Sequence, residues 1–230
     1  MTLKEAIQAR HSVRHYTKAP IEPEKLNAIL AAVREANSAS GLNIQLVTDE
    51  PRAFSAGNFL SFQYGYFTGV RNYLVMAGRN DSASKEALGY YGEKLVLLAQ
   101  TLGLNTCWVG LTYKEVPGVF SLRPGDKVHC VISLGYGENQ GVQHKERTLQ
   151  YFLDTPEHMH LPGWFIDGVK AAALAPSAVN QQKFGFNLLE GNVVEARPRF
   201  SLVGYTQIDL GIAKFHFEIG AGKENVRWKE

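Results

Sequence analysis

The chain has 230 residues, 45% of them hydrophobic and 20% charged, and a formal net charge of +2. That composition is globular, large enough for one sizeable core or two small ones, and its near-balanced charge without a long basic run argues against nucleic-acid binding. No apolar run reaches membrane-spanning length, and "MTLKEAIQAR" lacks the apolar centre of a signal peptide, so neither membrane nor export is expected. Cys107 and Cys130 have neither metal-type nor redox-type spacing and make no disulfide framework, so the expected setting is cytoplasmic.

Thr2 and Glu5 have capping-box spacing and predict a short first helix ending near Arg10. After a proline-bearing loop, Leu26, Ile29, Leu30 and Val33 predict an amphipathic helix over 24–36. Residues 43–48 and 71–77 read as strands, with a turn at Asp49, Glu50 and Pro51. Residues 88–103 are apolar on most sides and predict a deeply buried helix stopped by Gly103. The run "VHCVISLG", 128–135, is the strongest strand signal. A long polar connection follows. Then come a helix over 166–175, a strand over 184–189, a turn at Glu190, Gly191 and Asn192, a strand near 193–197 and a helix over 207–220.

Two stretches echo each other. "ANSASGLNIQLV" (36–47) and "ALAPSAVNQQKF" (173–184) each put small residues at a helix end before an apolar run. The two long apolar helices also align, Gly92 with Gly211 and Gly103 with Gly222 at one offset. An internal duplication is therefore expected, with a first half over 1–150 and a shortened second half over 151–230 that completes one structural unit.

Four clusters could carry chemistry. "RHSVR" sets Arg10, His11, Ser12 and Arg14 close together, and guanidinium forks suit phosphate or a polar ring edge, although a solvated basic turn has the same look. "APSAVNQQ" offers Pro176, Ser177, Ala178, Asn180 and Gln182; small residues admit a flat ligand and amides match its donors and acceptors, but a capped helix end would read the same way. "CWVGL" forms an apolar turn at Val109, Gly110 and Leu111 that could present a backbone N–H, or simply pack. Lys145 and Arg147 form a cationic pair in the polar connection, where solvated charges are common. His11 with His15 and His158 with His160 lack further ligands, so no metal is expected. No nucleophile elbow, phosphate-binding loop or dinucleotide fingerprint is present.

Together these pieces resemble the nitroreductase family of flavin mononucleotide (FMN) enzymes. "RHSVRHY" is similar to its R-R-S-x-R-x-F element, and "APSAVNQQKFGF" to A-P-S-x-x-N-x-Q-P-W-x-F. "LLAQTLGLNTCWVG" and "SLGYGENQGVQHKERTLQYF" resemble two further family segments. The resemblance implies an α+β fold, a mixed or antiparallel sheet flanked by helices. Family members usually form an intertwined dimer with FMN at the interface. Here the better P-S-x-x-N element comes late in the same chain, which resembles the branch in which one chain makes an internal pseudo-dimer. The early copy lacks the proline, so one complete site is implied, with Ser38 and Asn43 in an abandoned one. Such a chain would act as a monomer, with further association not required.

Roles follow from the resemblance. Arg10, His11 and Ser12 would hold the phosphate and ribityl end, with Lys145 and Arg147 closing on the phosphate. His11 stands where many members have arginine. Arg14 would face the flavin pyrimidine edge and stabilise the charge that reduction puts there. Residues 109–111 would set a backbone N–H by flavin N5. Pro176, Ser177, Ala178, Asn180 and Gln182 would meet the ring from the second half, and Lys183 and Phe184 replace the family's Pro-Trp pair. The implied reaction is hydride transfer from NAD(P)H through flavin N5 to a nitroaromatic, quinone or similar small acceptor, with no catalytic side chain. A flavin-storing or sensing module, and a flavin-consuming or dehalogenating enzyme, are the alternatives.

Overall fold

The computed structural model describes residues 1–54, 66–155 and 160–229. Helix α1 (Leu3–Ala9) begins with the expected capping box: the Thr2 hydroxyl accepts the Glu5 N–H at 3.3 Å and the Glu5 carboxylate accepts the Thr2 N–H at 2.7 Å. Helix α2 (Pro23–Ser40) outruns its expected end and stops at Gly41, whose φ of 71° suits glycine. The Asn37 side chain explains the extension. It pairs with both the N–H and the C=O of Ile44, each at 2.8 Å, and so ties the last turns of the helix to the next strand.

Strands β1 (Gln45–Val47), β2 (Asn72–Arg79), β3 (Asn105–Val109) and β4 (Asp126–Gly135) form one antiparallel sheet in the order β1-β2-β4-β3. Strand β2 buries both faces. Leu74 and Met76 join one core, whereas Tyr73, Val75 and Ala77 join another. Strand β3 was not expected. It is short, and its residues Asn-Thr-Cys-Trp-Val show no polar-apolar alternation; pairing with β4 makes it a strand. Val109 is thus the last strand residue, and only Gly110 and Leu111 belong to the turn.

Helix α3 (Ser82–Thr101) starts earlier than expected, capped by Asp81, whose carboxylate accepts the Ser84 N–H at 2.7 Å. A short helix α4 (Leu149–Phe152) interrupts the polar connection, followed by α5 (Gly163–Ala173). A second sheet contains β5 (Phe184–Leu189), β6 (Val193–Pro198) and β7 (Arg227–Trp228), with β7 parallel to β6. Between β6 and β7 runs α6 (Thr206–Ala221).

Helices α3 and α6 cross at the centre. A Cβ on Gly89 would lie 2.0 Å from the Ile208 carbonyl oxygen, and one on Gly211 would lie 1.9 Å from that of Glu86. Only glycine permits this approach. One buried cluster contains Ile29, Leu74, Leu95 and Ile132 from the first half and Phe165, Phe186 and Phe217 from the second. The Phe186 and Phe217 rings stack at 4.8 Å between centroids. Among the described residues no helix is long and apolar enough to cross a membrane.

Candidate functional site

The sheet edge organises the N-terminal arginines. Beyond α1 the chain lies along β3: Ser12 bridges Thr106, and the Val13 N–H donates to the Thr106 carbonyl at 3.0 Å. Tyr16 anchors the far end, its hydroxyl 2.8 Å from the Ser133 hydroxyl in the core. The segment therefore covers an otherwise open edge and holds its side chains in fixed places.

A cleft of about 400 Å³ adjoins this segment, a size suited to a small organic ligand. Arg10, His11, Ser12 and Arg14 line it together with Val109, Gly110 and Leu111. The second half contributes Pro176, Ser177, Ala178 and Asn180. The chain thus brings three sequence-distant clusters to one cavity.

Lys145, Arg147 and Gln182 do not line the cleft. Gln182 is 1% exposed, and its amide is engaged within the protein. It donates to the Lys145 carbonyl at 2.8 Å and to the Asn180 side-chain oxygen at 2.7 Å, and it accepts the Arg147 N–H at 3.1 Å. Gln182, expected to meet the ligand, thus braces the cleft's second-half segment against the polar connection. Arg147 instead stacks over the Tyr151 ring at 4.9 Å. Ser38 lies within α2 and Asn43 donates to the Ser121 carbonyl at 3.0 Å; neither lines the cleft.

The cationic end is underused by the protein itself. Arg10 is 4% exposed, yet its Nε has no hydrogen-bond partner, and the nearest carboxylate oxygen, on Glu93, is 3.8 Å away. The Arg14 Nε is likewise buried and unpartnered. Burial lowers the Arg10 pKa, opposed by the charge of Glu93. Buried donors without acceptors are costly, so two of them at one cleft suit an anionic ligand. Glu93 also accepts the Trp108 indole N–H and contacts His216, each at 2.9 Å, beneath the cleft.

The second-half side is strained. Val179, Asn180 and Gln182 have φ of 47°, 53° and 50°, a region that side chains avoid and a β-branched residue most of all. Ser177 helps hold the bend, its hydroxyl accepting the Gln182 N–H at 3.0 Å. Asp209 of α6 holds it from the other side, accepting the Ala178 N–H at 3.0 Å and the Gln181 amide at 2.7 Å. Sequence reasoning missed Asp209, Tyr205 and His144, all cleft residues. The signal available for Asp209 was one acid within the apolar run "QIDLGIA". Among the described residues no group of three or more His, Cys, Asp or Glu could hold a metal. His158 lies outside the described residues.

Fold and site define an α+β protein whose two parts meet around a cation-bearing ligand cleft. The chain belongs to the nitroreductase family: the family model described as "Putative TM nitroreductase" matches residues 2–221. A crystal structure from Thermotoga maritima, described as a "putative nitroreductase", superposes with a TM-score of 0.65 at 23% identity, covering 97% of this chain and 85% of that one. Another, a "putative nitroreductase" from Desulfovibrio desulfuricans in complex with FMN, gives a TM-score of 0.53 at 18% identity, covering 70% of this chain and 99% of that one. No curated protein matches. The fold expected from the sequence, antiparallel strands flanked by helices in an α+β arrangement, is the one found.

Proposed function

We propose that this chain is an FMN-dependent oxidoreductase that takes hydride from NAD(P)H and passes it to a nitroaromatic, a quinone or a similar small acceptor. One observation carries the reading: in a nitroreductase-family chain, two arginines with buried, unpartnered Nε atoms line a ligand-sized cleft. The Desulfovibrio relative of the same fold binds FMN, which supports the choice of ligand. The residues present fit that group. Arg10 and Ser12 would hold the phosphate and ribityl end, Arg14 the pyrimidine edge, and Ser177 and Asn180 the ring from the opposite side. FMN, when bound, supplies the hydride chemistry; the chain binds it, orients it and sets the charge around it. Arg14 favours the electron-rich ring over the oxidised one, because a cation in a site of low dielectric stabilises developing negative charge.

Both halves line the cleft, so a single chain would carry its own site as a cytoplasmic monomer, one FMN per chain. Reconstituted protein should absorb near ~450 nm, as oxidised flavin does, and the band should bleach on anaerobic addition of NADH or NADPH. Protein that stays colourless with micromolar FMN would sink the proposal. Light scattering should show monomer that retains the flavin.

A further inference from the structure

Asp209 is the one carboxylate lining the cleft among the described residues, and it is 2% exposed. Its Oδ1 accepts the Ala178 N–H and its Oδ2 the Gln181 amide. Gln181 has no freedom to rearrange. Its Nε2 also donates to the Gly204 carbonyl at 2.9 Å, and its Oε1 accepts the Ser201 hydroxyl. Both donors to Asp209 are neutral, and neither Arg10 nor Arg14 pairs with it. The carboxylate thus holds the strained 177–182 segment while carrying an uncompensated charge inside the cleft wall.

Resting on the flavin reading, we propose that Asp209 is a positioning residue whose protonation is coupled to occupancy: filling the cleft with FMN drives a proton onto its carboxyl group. The physics has two parts. A ligand in the cleft removes what solvent the carboxylate retains, and a phosphate-bearing ligand adds negative charge nearby. Both disfavour the ionised form, so binding raises the affinity for a proton.

The groups around Asp209 favour this. Burial pushes the Asp209 pKa up to about 7, only partly opposed by the Gln181 and Ala178 hydrogen bonds, although an acid in the first turn of a helix is normally favoured as the anion. The other titratable groups facing the cleft lie elsewhere on the pH scale. His11 and His144 are lowered by burial. Burial raises Tyr205, and it raises Cys107 and Cys130, the latter pushed further by Asp209 itself. Just outside, burial raises Tyr113. Asp209, at about 7, therefore lies above the two lowered histidines and below the raised tyrosine and cysteines.

By linkage, a bound state that holds more protons is weakened as pH rises. FMN affinity of the wild-type protein, followed by flavin fluorescence, should fall roughly fivefold or more from pH 7 to pH 9. The Asp209→Asn protein should lose that slope and keep only the dependence FMN itself brings to both proteins. Calorimetry of wild-type protein in two buffers of different ionisation heat should show proton uptake on FMN binding near pH 8; this needs no variant. Equal slopes in the two proteins, or zero uptake or proton release in calorimetry, overturn the coupling while leaving the flavin reading intact. No FMN binding at any pH overturns both.

Discussion

Gly89 and Gly211 face each other's helices reciprocally, each so close to a carbonyl of the partner helix that a single added carbon would overlap it. In both cases the touched carbonyl belongs to the residue three before the other glycine, Glu86 before Gly89 and Ile208 before Gly211. The crossing brings α3 and α6 together backbone to backbone, and it sets Ile208, Asp209 and Ile212 into the cleft wall.

The first prediction concerns that crossing. Gly89→Ala and Gly211→Ala should each destabilise the protein by about 3 kcal/mol or more, because backbone, not a flexible side chain, stands in the way. Gly163→Ala, where nothing lies within 4 Å, should be neutral or slightly stabilising. Urea unfolding of the three variants decides it; equal effects would mean that the helices separate freely.

The arginines should part company. Arg14→Ala should lower the flavin reduction potential and slow hydride acceptance by roughly tenfold to a thousandfold, since it removes a cation from the reduced ring. Arg10→Ala should weaken FMN affinity and leave the potential nearly unchanged. Potentiometric titration and equilibrium binding distinguish the two, and reversed outcomes would exchange their roles.

Ser177 and Ser38 should behave unequally. Ser177→Leu breaks the hydroxyl that holds the bend at Gln182 and fills part of the cleft, so FMN affinity should drop about tenfold to a hundredfold. Ser38→Leu, within α2, should leave affinity unchanged. Saturation at two FMN per chain, or equal damage from the two, would show a second working site.

Two buried carboxylates give opposite pH dependences of stability. Burial alone would raise the Glu93 pKa, but the His216 bond, the charges of His216 and Arg10 and the Trp108 N–H leave it lowered. Its contribution is present above the unfolded-state value and is lost as pH falls through the folded one. Asp209 is raised, so its contribution is full below the unfolded value and is lost as pH climbs through about 7. Against wild type, Asp209→Asn should become more stable on going from pH 5 to pH 8, by roughly 2–3 kcal/mol. Glu93→Gln should cost roughly 3 kcal/mol at pH 7 and less in acid, because it strands a buried Arg10. Urea melts at the two pH values test both signs.

Periodicity and caps determined most elements of this chain from the sequence alone. Apolar spacing marked α2 and α6, the capping box marked α1, and β-forming runs marked β4 and β5, because each depends on neighbours within a few residues. The clusters at Arg10–Arg14 and at Ser177–Asn180 were legible too, since their residue types suit a ligand whatever their surroundings. What only the tertiary structure decided depends on long-range contacts. Strand β3 exists because β4 pairs with it, not because its five residues alternate. Gln182 and Asn180 look alike in sequence and both donate to the Lys145 carbonyl, yet of the two only Asn180 also lines the cleft. Asp209 reads as a stray acid in the apolar run that opens its helix. Only the close crossing of α3 and α6, and the bend of a segment some thirty residues earlier, make it a buried charge facing a ligand site.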